Sequence, residues 1–462
     1  MRRLTGESCN YKQRPWRRAS KQFWGISVIE QIAELALKMY STKQHAEVKV
    51  RTTCRSCESD RLQSVLDLGN LYVSNFADVP DSGRWPRVPL DLLLCGNCGL
   101  AQLRHTTPPE WLYTHYWYKS GISAMMRAAL TDVSRRAAHF VGLQAGDSVL
   151  DIGCNDGTLL RSYDYDDVRR VGFEPAENLA CEAAAGTDRI VPDFFSARPV
   201  AGEQFRVVTS IAMFYDLEDP SAFVADVASV LLEEGVWVIE MHYLPMVLEC
   251  NAFDAICHEH IEYYSLSSLE PLLARHGLAV ADVETNDVNG GSFRVYVVHR
   301  DSPAASVSAR RERVNAMRAR EQTAGLLSRV AYQEFGARVR QIGVKLQEWL
   351  RNERRQGREI SAYGASTKGN TLLQVFGLDH TVIRSAAERN PEKWGKYTVG
   401  TWIPIVSEAE ARAHADDFLV LPWHFMDEIQ ARERDFLARG GKLVAPLPNL
   451  RVITANESSA IA

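Results

Sequence analysis

From residue 148 onward, short β-like runs alternate with helical runs along the chain. Ser148–Ile152, Arg169–Phe173, Arg189–Val191, Arg206–Ile211 and Gly235–Glu240 read as strands, after a helix over 125–142. Such alternation predicts a parallel, doubly wound α/β sheet with helices on its faces. A helix over 266–276 follows. Then Leu278–Glu284 and Ser292–Val298 read as a closing antiparallel hairpin across Asn289-Gly-Gly. Residues 304–356 are rich in Arg, Ala, Gln and Leu and hold no proline. They predict a long helical connection, broken near Thr323-Ala-Gly325, with a solvated Arg-rich face. A second alternation begins with Glu359–Tyr363 and a helix from Lys368. It continues through Val382–Ala387, Asp417–Leu421, a helix around 426–438 and Lys442–Ala445, and predicts a smaller domain that is also Rossmann-like.

The expected organisation is an extension over 1–49, short strands and turns over 50–110 and an α/β domain over 111–302. A helical connection over 303–357 and a second Rossmann-like domain over 358–462 complete it. Bulk composition adds limits. Hydrophobic residues make up 46% of 462, enough for two or three globular cores. A formal charge of −5 gives no case for nucleic acid as a partner. No apolar run reaches the length of a membrane span, so the chain is expected to be soluble. An odd number of cysteines, nine, with four in metal-type spacing, suits a reducing cytoplasm, and a monomer or weak homodimer is expected. The first fifty residues carry ten Lys or Arg against four Asp or Glu and lack clear periodicity, which reads as a poorly ordered basic extension.

Four of the nine cysteines form two CxxC pairs, Cys54-Arg-Ser-Cys57 and Cys95-Gly-Asn-Cys98. Each CxxC is a tight turn that aims two sulfurs at one point, and two such turns supply a tetrahedral S₄ set suited to Zn²⁺. A thioredoxin-like redox pair is the rival reading, and two pairs without that fold argue against it. With all four positions filled by cysteine, the expected site is closed and structural.

Asp151-Ile-Gly-Cys-Asn-Asp-Gly157 follows a β-run and opens a helix. Gly153 and Gly157 let the backbone approach a ligand. The third glycine of a GxGxxG dinucleotide loop is missing, and Asn155 and Asp156 are unusual for pyrophosphate. An acidic loop with Asp151 suits a cationic cofactor without phosphates, S-adenosylmethionine. Glu174, ending the second strand, would accept both ribose hydroxyls, and Asp193 and Phe194, after the third strand, would meet the adenine. For Asp193 a solvent-exposed loop acid is the plain alternative.

The densest polar cluster is Cys257-His-Glu-His-Ile-Glu-Tyr-Tyr-Ser265. His258 and His260 are two residues apart, so HExH cannot act as a zincin motif. In an extended segment the two imidazoles would share a face, with Glu259 opposite. An imidazole near neutral pKa is a good general base. A surface loop with satisfied histidines is the alternative. In the last domain, Gly364-Ala-Ser-Thr-Lys-Gly369 lies between a strand and a helix. Ser366, Lys368 and helix-start amides form a diphosphate cradle on one reading and a tight strand–helix turn on the other. Glu388 ends the next strand, and Lys393 would add phosphate charge.

Together these segments resemble the three-domain, zinc-containing, S-adenosylmethionine-dependent sugar C-methyltransferases of deoxysugar biosynthesis. The resemblance covers about residues 50–450. It also rests on Tyr116-Trp-Tyr-Lys-Ser-Gly121, Asn289-Gly-Gly-Ser-Phe-Arg294 and Asn390-Pro-Glu-Lys-Trp-Gly-Lys396. It implies a class I methyltransferase Rossmann-like domain between a zinc-binding domain and a C-terminal Rossmann-like substrate domain. In that family the last histidine of a Tyr-His-Glu-His segment removes a proton beside the keto group of a nucleotide-linked sugar, and the enolate takes the cofactor's methyl group. His260 matches that histidine and Glu259 its neighbour. Tyr118 and Tyr215 are further catalytic candidates, and Tyr116 a substrate contact. Two departures stand out. Cys257 replaces the family tyrosine, and Ala212-Met-Phe-Tyr-Asp216 replaces Asn-Val-Leu-Ala-His. The implied function is C-methylation of a nucleoside-diphosphate keto-deoxysugar. O- or N-methylation of a small metabolite is the alternative, and a non-catalytic zinc-stabilised binding protein the third reading.

Overall fold

The computed structural model describes residues 47–81, 83–113, 115–455 and 458–460. Most of the basic N-terminal extension therefore lies outside the described residues. After Cys54 and Cys57 the chain forms β1 (Leu62–Tyr72), β2 (Arg87–Cys95) and β3 (Ala101–Leu103), an antiparallel meander. Its edge is completed by Glu262–Tyr263, from far along the chain, which pairs with Ala101 and Gln102.

Helix α1 (Ala124–Val141) starts on the Ser123 side chain, which accepts from Met126 N, and stops at Gly142 with φ 62°. A Ser N-cap and a left-handed Gly C-cap satisfy orphan amides and carbonyls at the two ends. The central sheet then unrolls as β4 (Ser148–Ile152), β5 (Arg169–Phe173), β6 (Arg189–Val191), β7 (Phe205–Ile211), β8 (Leu231–His242), β9 (Leu278–Asn286) and β10 (Ser292–His299). Its order is β9-β10-β8-β7-β4-β5-β6. The links from β6 to β8 are parallel, and β10 runs antiparallel to both neighbours. The strands read from the sequence are all present. β8 extends past the expected Glu240 to His242, with consequences for the site.

Gly325, with φ 64°, ends α2 (Ser308–Ala324) before α3 (Arg329–Arg355), so the connection breaks where expected. The second sheet follows as β11 (Ile360–Tyr363), β12 (Ala386–Glu388), β13 (Ile405–Ser407), β14 (Asp417–Val420), β15 (Lys442–Ala445), β16 (Arg451–Ile453) and β17 (Ser458–Ala460), parallel from β13 to β15 with β16 and β17 added antiparallel. Its order is β13-β12-β11-β14-β15-β16-β17. Helix α4 (Thr367–Val375) leaves β11, capped by Ser366 Oγ on Gly369 N. Two expectations are corrected. Val382–Ser385 precede the strand, because Asp379 holds Thr381 in a turn through its backbone N–H and hydroxyl. The helix at 426–438 is split at Glu433, whose buried carboxylate is drawn inward to Tyr363 Oη and Arg412.

One apolar core joins Leu90 and Leu92 of β2, Phe335 and Leu346 of α3, and Ile360 and Leu372 around the second sheet. A second core packs Cys54 and Cys95 against Ile239 and Trp237 of the central sheet. The cysteine region is thus wedged between the two α/β units. Each fully buried Leu or Phe in these seams contributes roughly 1.5–3 kcal/mol relative to exposure.

Candidate active site

The cysteine pairs converge. Cys54 and Cys98 sulfurs lie 3.6 Å apart, as do Cys57 and Cys95, and all four lie within 4.8 Å of one another. A tetrahedral Zn²⁺ with Zn–S bonds of about 2.3 Å places its sulfurs about 3.8 Å apart, so the set fits that ion. Gln102 Nε2 donates to Cys54 Sγ at 3.1 Å and Asn97 Nδ2 to Cys57 Sγ at 3.4 Å, which suits thiolate ligands.

In the parallel part of each sheet the strand order reverses beside the first strand, between β4 and β7 and between β11 and β14. Such switch points open a crevice at the carboxyl ends of the strands. Here the loops of both crevices line one cavity of about 630 Å³.

On the central-sheet side, Asp151 is buried and accepts from Thr209 Oγ1 at 2.6 Å. Glu174 accepts from Asn155 N at 2.8 Å and Ala176 N at 2.9 Å. Burial pushes both carboxyl groups up to about 7, outweighing the hydrogen bonds that favour their charged forms. Gly153 has φ 73°, and a Cβ there would lie 3.2 Å from Met213, narrowing the crevice. Asp193 and Phe194 line the same end. Asp156 and Gly157 do not line the cavity. Asp156 is bonded to Gly121 N at 2.7 Å and Thr158 Oγ1 at 2.6 Å, and Gly157 packs on the backbone of Ala183. Asn155 also ties down this segment, accepting from Ser120 N and donating to Tyr118 O. The Asn-Asp pair therefore holds residues 118–121 over the loop, a use the sequence did not reveal.

At the middle of the cavity stand Glu259 and His260. His258 and His260 do not share a face, which corrects the extended reading. A turn closed by His260 N on Cys257 O reverses the chain here. It sends His258 away, its Nε2 bonded to Val88 O at 2.9 Å. His260 Nδ1 lies 2.9 Å from Ala255 O. A carbonyl can only accept, so Nδ1 carries the proton and Nε2 keeps its lone pair. Burial first, then the ammonium of Lys368, lowers His260 to about 3. Tyr215 packs against it with ring centroids 4.3 Å apart. Glu259 is pushed up to about 7 by burial, and Asp216 well above the carboxylate range by burial and by Glu259. Tyr116 is a lining residue, and Tyr118 sits nearly half exposed at the rim.

On the second-sheet side, Glu388 occupies the position Glu174 occupies in the first. Its carboxylate accepts from Ala365 N in the loop after β11, and from Arg389 N and Asn390 N. Lys393 is largely committed to this loop, donating to Ala365 O at 2.8 Å and to Glu388 at 3.3 Å. Ser366 and Arg389 line the cavity beside it. Lys368 does not turn toward this end. Its ammonium lies 3.2 Å from both His242 Nε2 and Asn289 O, against the central sheet.

A relative, the C-methyltransferase NovU of Streptomyces niveus, is 34% identical over 415 residues, covering 88% of this chain and 97% of its own length. The chain belongs to the C-methyltransferase family. Family models match this C-methyltransferase in three consecutive parts: a zinc binding domain at 54–113, a methyltransferase domain at 123–283 and a C-methyltransferase C-terminal domain at 287–448. Among solved structures, magnesium protoporphyrin IX methyltransferase of Synechocystis is 14% identical, with 37% of this chain and 79% of its own covered at a TM-score of 0.30. A methyltransferase of Clostridium acetobutylicum is 11% identical, with 37% and 92% covered at 0.30. Scores this low add nothing to the assignment. The C-methyltransferase uses S-adenosylmethionine on a class I fold and binds zinc at its cysteine cluster. Among the described residues no helix is long and apolar enough to cross a membrane.

The sequence reading missed His242, Asp254, Asn289, Arg389 and His424, all of which line the cavity of the C-methyltransferase. His242 was findable as the end of the apolar run that the expected strand closed two residues early, at Glu240. The others lie on loops whose partners are remote in the chain.

Proposed function

We propose that this enzyme methylates a carbon of a nucleoside-diphosphate keto sugar through an enolate, with His260 as the base. The observation that carries the reading is the fixed tautomer of His260, whose free Nε2 belongs to the wall between two nucleotide-type crevices. Asp151, Gly153, Glu174, Asp193 and Phe194 would hold S-adenosylmethionine, which supplies an electrophilic methyl group when bound. Glu174 would take the ribose hydroxyls. In the opposite crevice Glu388 would take the second ribose, and Arg389 with Ser366 and the amides at the start of α4 the diphosphate. That places the sugar in the middle, against His260, Glu259, Tyr215 and Tyr116. His260 Nε2 then removes the proton next to the keto group. Glu259 and Asp216, whose carboxyl groups burial pushes upward, face the sugar oxygens as hydrogen-bonding groups, and the surrounding tyrosines exclude water. The relative's C-methylating activity agrees with this assignment.

Deuterium wash-in tests it. In D₂O with S-adenosylhomocysteine bound, the wild-type enzyme should exchange one C–H of a nucleoside-diphosphate keto sugar. His260→Gln should lose at least about two orders of magnitude in exchange and turnover, since a positioned base contributes about 10²–10⁴-fold, with affinity for S-adenosylhomocysteine unchanged. Methylation without exchange, with the methyl group found on oxygen or nitrogen, would refute the enolate route.

A further inference from the structure

Lys368 is misplaced for a phosphate ligand. It sits on the first turn of α4, in the second Rossmann-like sheet, yet its side chain crosses to the central sheet. There it meets His242, the last residue of β8, and Asn289 O in the turn between β9 and β10. Both contacts accept hydrogen bonds from the ammonium. His242 Nε2 must therefore be the unprotonated nitrogen, and burial and Lys368 together hold this imidazole well below its ordinary value. An ammonium has three N–H groups. Two are taken, which leaves one for the cavity that Lys368 lines. Lys368 makes no salt bridge among the described residues. Burial pushes the nearby Asp254 carboxyl group up, with Lys368 acting only partly against it, and that acid spends one oxygen on Trp423 Nε1 at 3.1 Å.

The His242 ring is 5.3 Å from the His260 ring. The ammonium of Lys368, hydrogen-bonded to this neighbouring His242, adds to burial in making protonation of His260 costly. The cost is removed only if negative charge develops beside the ammonium as the base takes its proton. Stabilisation that appears only in the transition state is what accelerates a reaction.

We infer that Lys368 is a catalytic residue, the donor that holds the oxygen of the enolate, and that His242 and Asn289 O are the positioning groups that aim it. This rests on the enolate reading above. In the step, the C–H bond next to the carbonyl breaks and its proton goes to His260 Nε2. The bonding pair becomes the new C=C bond, and the carbonyl π pair moves onto oxygen, where the free N–H of Lys368 meets it. Charge is conserved: an imidazolium and an enolate replace an imidazole and a ketone, and the ammonium keeps its charge throughout.

The test compares Lys368→Met and Lys368→Arg with the wild type in the wash-in assay, using whichever nucleoside-diphosphate keto sugar the wild type exchanges. Affinities for S-adenosylhomocysteine and for the matching nucleoside diphosphate are measured in parallel, and report that each variant is folded. Loss of one oxyanion donor costs about 10²–10³-fold. Lys368→Met should show that fall in exchange with both affinities unchanged, and Lys368→Arg, which keeps the charge, should exchange faster than Met. Exchange by Lys368→Met at the wild-type rate, or Met and Arg equally impaired, overturns the role of the lysine and leaves the enolate reading standing. A loss of nucleoside-diphosphate affinity that matches the loss of exchange makes Lys368 a phosphate ligand instead. If the wild type exchanges no keto sugar at all, the enolate reading fails and the lysine's role falls with it.

Discussion

His258 and His260 are buried alike, yet their imidazoles are held in opposite tautomers. Val88 O takes the Nε2 proton of His258, and Ala255 O takes the Nδ1 proton of His260. Only His260 keeps its free nitrogen for the cavity; Nδ1 of His258 is buried without a partner. The chemistry of a histidine was legible in the sequence, but its direction was not. Alternation assigns faces only to extended backbone, and the Cys257–His260 turn is set by packing against β2, some 170 residues upstream. Burial lowers His258 to about 4, against about 6.5 in an unfolded chain. The sign follows from proton counts. Below pH 6.5 the unfolded chain binds a proton that the folded protein refuses, so stability is full above 6.5 and is lost as pH falls toward 4. We expect His258→Gln to remove this term. Between pH 7 and pH 5 the wild type should lose about 2 kcal/mol of unfolding free energy relative to the variant. Urea unfolding at the two pH values checks it, and parallel losses in both proteins would contradict the assignment.

The elements that read most clearly were the longer ones, namely β4, β5, β7, β8, the closing hairpin and the two long helices. The three-residue β6 was read from its place in the βα alternation. Short strands such as β13 and β16 were missed because three residues carry too little pattern, and their pairing comes from the sheet beside them. The strand Glu262–Tyr263 is the extreme case. It is two residues long and exists because β3 offers it an edge. That pairing gives the zinc site a reach beyond its own region. Leu103 N donates to Ile261 O at 2.8 Å, and Gln102, which pairs with Glu262, also donates to Cys54 Sγ. The metal-bound loop and the segment carrying His260 therefore share one ladder. Removing zinc with a chelator, or replacing Cys57 by Ser, should loosen 257–264 before it loosens the central sheet. Hydrogen exchange should show faster exchange at Leu103, whose N–H bridges to Ile261 O, and at Tyr263, with protection in β4 and β7 and affinity for S-adenosylhomocysteine retained. Uniform loss of protection across the central sheet would show instead that the zinc holds the whole fold.

Across the whole molecule, two α/β units use the same device. Each places a glutamate at the end of the second strand, and each carboxylate reaches back to a backbone N–H in the loop after the first strand: Glu174 to Asn155, Glu388 to Ala365. The repetition was half legible, since both alternations and both acids stand out in the sequence. What could not be read was that the two crevices open into one cavity. That depends on contacts such as Lys368 with His242 and Thr367 with Glu259, between residues more than a hundred positions apart. The shared cavity makes a reciprocal prediction. If each glutamate serves its own nucleoside, exchanging its carboxylate for an amide should weaken one ligand and spare the other. A hydrogen bond to a charged group contributes about 1.5–3 kcal/mol, which corresponds to about ten- to a hundredfold in affinity. Glu174→Gln should lose that much for S-adenosylhomocysteine and keep its affinity for the nucleoside-diphosphate sugar. Glu388→Gln should do the opposite. Calorimetric titration of both ligands into both variants gives four affinities, and the crossed pattern is demanding. A single site serving both nucleosides would weaken both ligands in one variant. A Glu388 that only braces its loop would leave the sugar nucleotide unaffected in Glu388→Gln, because the amide oxygen can still accept from Ala365 N.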